Sequence, residues 1–125
     1  MIVLDSSALL AVLLKERGAS RVIAVLGEAV ISAATLAEIL TKAQQRGIDS
    51  ESAFAAVAAF GIAIAPVDEL HARIAAQISR APRELDLSLG DRLCIALAIA
   101  LDVELLTSDR GMSRFAAGVP ITLFR

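Results

Sequence analysis

A chain of 125 residues has room for one compact domain. Hydrophobic residues make up 57% of it and charged residues 21%, against roughly 45–50% and about 25% in ordinary soluble domains, which excludes a disordered or fibrous polymer and supplies a core without disulfides. The formal net charge of −2 argues against gripping a polyanion by overall charge, and four Phe with no Trp or Tyr leave little for stacking bases or sugars.

Ten of the twelve basic residues are arginines scattered along the chain, so a polyanion would have to be held by a local patch or through a bound cation. The mean hydropathy of +0.71 raises the question of a membrane span. The longest uncharged run, Ser52 to Val67, has 16 residues and is broken by Gly61 and Pro66, whereas a spanning helix needs about 20. Met1-Ile2-Val3-Leu4 runs directly into Asp5 with no basic segment before it, so no secretory leader, no membrane contact and a cytoplasmic location are expected. The lone Cys94 excludes an internal disulfide and a cysteine metal cluster. Inside the apolar run Leu93–Leu101 it reads as a small buried hydrophobe.

Ile2-Val3-Leu4 predicts a short buried strand that stops at Asp5. Ser6 or Ser7 can cap a helix through Ala8–Leu14 that ends by Gly18, and a second helix spans Arg21–Leu26 before Gly27. Ala29–Ser32 is the next strand. Thr35 opens a helix striped by Leu36, Ile39, Leu40 and Ala43 and closed by Gly47, and Ser50 caps an alanine-rich helix to Phe60. Ile62–Ala65 is a strand ended by Pro66, and Asp68 caps a helix through about Arg80. After a loop around Pro82, Ser88 introduces the helix Leu93–Leu101. Val103–Leu106 is a strand, Arg110–Phe115 a short helix and Pro120–Phe124 a last strand. Short apolar strands alternating with helices predict a three-layer α/β/α domain over residues 1–125, with a mostly parallel central sheet. In such sheets ligands bind beyond the carboxyl ends of the strands.

Four carboxylates fall near those ends. Asp5 follows the first strand, Asp109 follows the Leu105-Leu106 strand by two residues, and Glu38 lies one turn into the helix after Ile31. Asp91 opens the Leu93–Leu101 helix and joins the others if that helix starts at the same edge. Each has a structural alternative. Ser88-Leu89-Gly90-Asp91 and Thr35-Leu36-Ala37-Glu38 both fit capping boxes, and Asp5 and Asp109 can cap the helices that follow them. Glu38 also falls beside its helix's apolar stripe, which suits a solvated residue. Four caps, however, have no reason to gather at one sheet edge. Asp91 is followed at i+3, i+4 and i+7 by Cys94, Ile95 and Ala98, and a carboxylate on a buried face needs a charge partner or a metal. Oxygen donors with no cysteine and a lone His71 suit Mg²⁺ or Mn²⁺ better than zinc. His71, mid-helix and away from any strand end, reads as a surface residue.

The segments Val3-Leu4-Asp5-Ser6-Ser7-Ala8-Leu9-Leu10, Ser32–Leu40 with Glu38, Leu89–Ala98 with Asp91, and Leu106-Thr107-Ser108-Asp109 occur in the order and spacing of one family. Together they resemble the PIN-domain family, and within it the VapC toxins of VapBC toxin–antitoxin systems. The resemblance covers essentially the whole chain. It implies a Mg²⁺-dependent endoribonuclease that leaves a 5′-phosphate and a 3′-hydroxyl, with Asp5, Glu38, Asp91 and Asp109 around the metal. Asp5 and Asp91 would be direct ligands, and Glu38 and Asp109 direct or water-mediated ones. It also implies a homodimer and inhibition by a VapB-type antitoxin that places a basic side chain in or near the acidic site. Arg92, Arg110 or Arg114 can hold the RNA backbone nearby.

Two other classes stand beside this one. A catalytically silent PIN-like module that only binds a protein partner would keep the fold and gain no stability from divalent metal. A phosphoryl-transfer or receiver-like domain also carries acids at strand ends. The aspartate-nucleophile phosphatases, however, want a second Asp where Ser7 stands, and a receiver wants a strand-end lysine, whereas Lys15 and Lys42 are both expected in helices.

Overall fold

Five runs of three or four mostly aliphatic residues form the strands of one sheet in the computed structural model, which describes residues 1–125. They are β1 (Ile2–Leu4), β2 (Ala29–Ser32), β3 (Ala63–Ala65), β4 (Leu105–Thr107) and β5 (Ile121–Leu123), in the order β3-β2-β1-β4-β5. Every neighbouring pair is parallel, with Val3 opposite Val30 on one side and Leu105 on the other. Seven helices surround the sheet: α1 (Ser6–Leu13), α2 (Ala19–Ile23), α3 (Ala33–Gln45), α4 (Ser50–Ala59), α5 (Glu69–Ile78), α6 (Leu89–Leu101) and α7 (Arg110–Ser113).

The central strands are buried on both faces, so their alternating side chains feed two cores. Ile2, Leu4, Ile31 and Leu106 point to one face and pack with Leu9, Val22, Ile39, Val57 and Phe124 from the α1–α4 side and the C-terminal end. Val3, Val30 and Leu105 point to the other and meet Ile78, Ile95, Leu97 and Met112 from α5, α6 and α7. This is the three-layer α/β/α arrangement expected from the alternation of elements. No helix is long and apolar enough to cross a membrane.

The chain steps from β1 to β2 to β3 in one direction, then returns past β1 to β4 and β5. The reversal lies between β1 and β4, and a crevice at such a switch point is where open parallel sheets take ligands. Helix α6 delivers its C-terminal end to the start of β4, where the Val103 N–H donates to the Ala98 carbonyl. It therefore runs back from the carboxyl edge, and its first turn lies at that edge with the ends of β1 and β4 and the start of α3.

Several local expectations are corrected. Asp5, rather than Ser6 or Ser7, caps α1, which starts at Ser6. Ser32 rather than Thr35 caps α3, so Thr35 is internal and Glu38 makes no capping box. Asp49 replaces Ser50 as the cap of α4. The second helix ends at Ile23 and the chain continues in a 3-10 turn, Leu26–Glu28, because Gly27 and the turn into β2 interrupt it. Strand β4 starts at Leu105 and includes Thr107, two residues later than expected. Lys15 lies just past α1 in a left-handed turn with φ of 55° rather than inside a helix. His71 is buried, not a surface residue. It lies on the face of α5 that carries buried Ala75 and Ile78, with its Nε2 3.7 Å from Asp68 Oδ1.

Candidate active site

The end of β1 turns into α1 through Asp5, and both carboxylate oxygens are occupied. Oδ1 accepts the Ser7 hydroxyl at 2.6 Å and the Ala8 N–H at 3.1 Å, and Oδ2 accepts the Thr107 hydroxyl at 2.6 Å. Thr107 is fully buried at the end of β4, and its Oγ1 also accepts the Asp109 N–H at 3.0 Å. Ser7 makes the matching link, its Oγ accepting the Ser108 N–H at 3.0 Å. Two hydroxyls thus stitch the end of β1 to the end of β4 across the switch point. Asp5 has only 6% of its surface exposed and no ion-pair partner. Burial pushes its pKa up, against the lowering effect of the three hydrogen bonds, and the charge of Asp91 pushes it further up.

Asp109 is half-buried and acts as the N-cap of α7, its Oδ1 accepting the N–H groups of Gly111 at 2.7 Å and Met112 at 3.2 Å. Asp91 is also half-buried and makes the capping box expected for it: its Oδ2 accepts the Ser88 N–H at 2.9 Å while Ser88 Oγ accepts the Asp91 N–H at 3.1 Å. In both residues the other carboxylate oxygen takes no hydrogen bond, so capping and a second role are compatible. Glu38, half-buried, projects from α3 onto the first turn of α6. A Cβ on Gly90 would stand 2.6 Å from Glu38 Oε1 and 2.8 Å from its Cδ, so only glycine there lets the carboxylate lie against the helix. Burial raises the Glu38 pKa; Lys42 lowers it, and Asp91 and Asp5 raise it further.

Asp5, Glu38 and Asp91 therefore repel one another across one crevice. Asp109 stands aside from that set. None of the four is in a salt bridge. Oxygen donors alone, mutually repelling, with one of them buried beside no cation, are the donor chemistry of a hard divalent ion. The side chains do not form a closed cage, since no three His, Cys, Asp or Glu groups converge on a point where an ion could be held. Asp91 and Asp109 rest on helix N–H groups and Glu38 on Gly90.

Beneath the acids the packing is inert. Cys94 is buried against the Leu4 carbonyl, its Sγ 3.8 Å from that oxygen, and burial holds the thiol well above its usual pKa. Thr35 Oγ1 is buried with no hydrogen-bond partner of ordinary geometry. Arg92 turns away from the acids and donates to the Ala75 carbonyl at 3.0 Å, tying α6 to α5. Arg110 and Arg114 are exposed. Sequence reasoning gave Ser7 only a capping role and assigned none to Thr107 or Gly90. The signal for the two hydroxyls was present, since one lies two residues after Asp5 and the other two residues before Asp109.

The family model described as "PIN domain" matches residues 2–118. The chain belongs to the PIN domain family. Among solved structures, this PIN domain is similar to a toxin–antitoxin complex from Klebsiella pneumoniae at 19% identity and TM-score 0.75, with 97% of each chain covered. It is similar to FitAcB from Neisseria gonorrhoeae at 25% identity and TM-score 0.68, covering all of this chain and 97% of that one. DNA-bound VapBC from Salmonella typhimurium matches at 20% identity and TM-score 0.74, with 99% of this chain and 98% of that one covered. No curated protein sequence matches.

Proposed function

We propose that this PIN domain is a Mg²⁺-dependent endoribonuclease, the VapC-type toxin of a type II toxin–antitoxin system, acting on RNA as a homodimer and inhibited by a VapB-type antitoxin. The observation that carries the reading is the buried, unpaired Asp5 at the switch point, repelled by Asp91 and close enough to raise the pKa of Glu38. Membership of the PIN family and the likeness to chains of toxin–antitoxin complexes support the biological setting.

Asp5 and Asp91 are the residues that would hold the ion, with Glu38 and Asp109 at its margin; Mn²⁺ fits the same donors. A divalent cation supplies charge neutralisation at phosphate and acidifies water. Asp5 contributes a carboxylate whose direction is set by Ser7 and Thr107, so it needs little reorganisation when phosphate arrives. Glu38, with a raised pKa and only partial burial, is suited to take the proton of the attacking water. Asp109 holds α7 and the β4 loop in place, with one oxygen left over for the site.

Antitoxin-free protein incubated with total cellular RNA, with Mg²⁺ or with EDTA, as wild type and as Asp5→Asn, tests this reading. Discrete new ends that need both Mg²⁺ and Asp5, with 5′-phosphates, are the expected result. A folded protein that gains no thermal stability from Mg²⁺ and cuts nothing would overturn it in favour of a catalytically silent PIN-like interaction module. Sedimentation of the free protein tests the homodimer.

A further inference from the structure

Lys42 follows Glu38 by four residues on α3, the helical spacing and order at which Glu and Lys ordinarily pair. They make no salt bridge here. Glu38 is drawn instead onto Gly90 of α6. The Lys42 ammonium reaches across to α1, donating to Ser6 Oγ at 3.4 Å, one residue past Asp5. Lys42 is thus exposed at the mouth of the acidic crevice, beyond ion-pair distance of Glu38 yet near enough to lower its pKa.

Two clefts meet at this side chain. One, of about 350 Å³, is lined by Ala37, Glu38, Thr41, Lys42 and Gln45. The other, of about 250 Å³, is lined by Leu10, Leu14, Lys42, Gln45 and Arg46. Lys42 and Gln45 line both, so the two clefts adjoin and trace a path along α3 from Glu38 to Arg46. Past Glu38 it contains no carboxylate. The Arg46 side chain is exposed, with no hydrogen bond and no ion pair. Lys42 and Arg46 are one turn apart on the same helix face, about 6 Å along the axis, which suits successive phosphates of an extended strand. Arg92, next to Asp91 in sequence, is tied to α5 instead.

We propose that single-stranded RNA leaves the acidic crevice along this face of α3, with Lys42 contacting the phosphate next to the one cut and Arg46 the phosphate beyond it. This rests on the nuclease reading above and adds the path of the substrate. The driving force is release of counterions from the phosphates, which is independent of base sequence and leaves a salt signature.

The experiment compares wild type, Lys42→Gln, Lys42→Arg, Arg46→Gln and, as a control, Arg73→Gln, which is exposed on α5 and close only to Glu69. Binding of a short mixed-sequence single-stranded RNA is titrated against salt, and cleavage of cellular RNA by wild type is run alongside. Lys42→Gln and Arg46→Gln should each flatten the slope of log affinity against log salt by about 0.7, the single-strand value per phosphate contact. Each should raise KM several-fold with kcat largely kept. Lys42→Arg should restore the slope, and Arg73→Gln should leave it unchanged. Melting temperatures close to wild type for the Gln variants confirm an intact fold. If wild type cuts RNA but the Lys42→Gln slope and KM match wild type, the path is wrong and the nuclease reading stands. If wild type neither binds nor cuts RNA, both fall together.

Discussion

The two halves of the acidic crevice are built differently. On the β1/β4 side, Asp5 is buried, each of its oxygens accepts a hydroxyl hydrogen bond of 2.6 Å, and Ser7 and Thr107 pass the connection on to Ser108 and Asp109. On the α3/α6 side, Glu38 and Asp91 are half-buried, Asp91 keeps a free oxygen, and Glu38 is held by proximity to Gly90 rather than by a hydrogen bond. The first half is a preorganised anchor. The second is adjustable at Glu38, as the proposed nuclease would require to admit both a cation and a polyanion. Repulsion among the three acids is eased because Glu38, unlike Asp5 and Asp91, has no hydrogen bond holding its carboxylate.

Breaking the rigid half should have the largest effect. Thr107→Val removes the donor to Asp5 Oδ2 and the acceptor of the Asp109 N–H in a fully buried place, and leaving such groups unsatisfied costs about 1–3 kcal/mol. Urea unfolding should show that loss, RNA cleavage should drop with it, and Thr107→Ser should recover most of both. Retained activity in the Val variant would mean that Asp5 does not depend on the hydroxyl for its direction.

The adjustable half should separate stability from activity. Gly90→Ala puts a methyl where the Glu38 carboxylate lies, and the flexible side chain can swing away. Alanine is favoured over glycine in a helix by up to about 1 kcal/mol, so the melting temperature should hold or rise while cleavage falls several-fold. A large loss of stability would show that Glu38 is locked in place and the contrast between the halves is false.

Asp109 belongs to the rigid half as a helix cap. Asp109→Ala should cost about 1 kcal/mol, and Asp109→Ser, which keeps a capping oxygen, should recover it. If the Ser variant also keeps full cleavage, Asp109 serves the fold alone; a drop in its Mg²⁺-dependent rate places the carboxylate in the metal site.

The smallest effect is on pH dependence. The folded pKa values of Asp5 and Glu38 are both raised, from 3.8 and 4.5. Between those values and the folded ones the native state holds more protons than the unfolded chain, so stability falls as pH rises through that window and levels off above it. Thermal melts in EDTA should therefore show Asp5→Asn gaining on wild type as pH rises from about 4 towards neutrality. If wild type instead gains on Asp5→Asn over that range, the sign of the interaction is reversed.

Much of this protein was legible before any coordinates. Short continuous apolar runs, divided by helices with glycine stops, specify a parallel sheet buried on both faces, and Asp5 and Asp109 follow strands by their position in the chain alone. The Ser88/Asp91 capping box was readable because its bonds are local. Tertiary structure decided what depends on distant segments meeting. The antiparallel return of α6 brings Asp91 to the edge where β1 ends, and the close pass of α3 over α6 requires glycine at position 90. Ser7 and Thr107 meet on Asp5 from opposite ends of the chain. His71 is buried while the apolar Leu70 and Ala72 beside it are exposed, because burial on a single helix face is set by what packs against it. Local periodicity encodes which elements form, but the charges that face one another are fixed only when strand order and helix direction are.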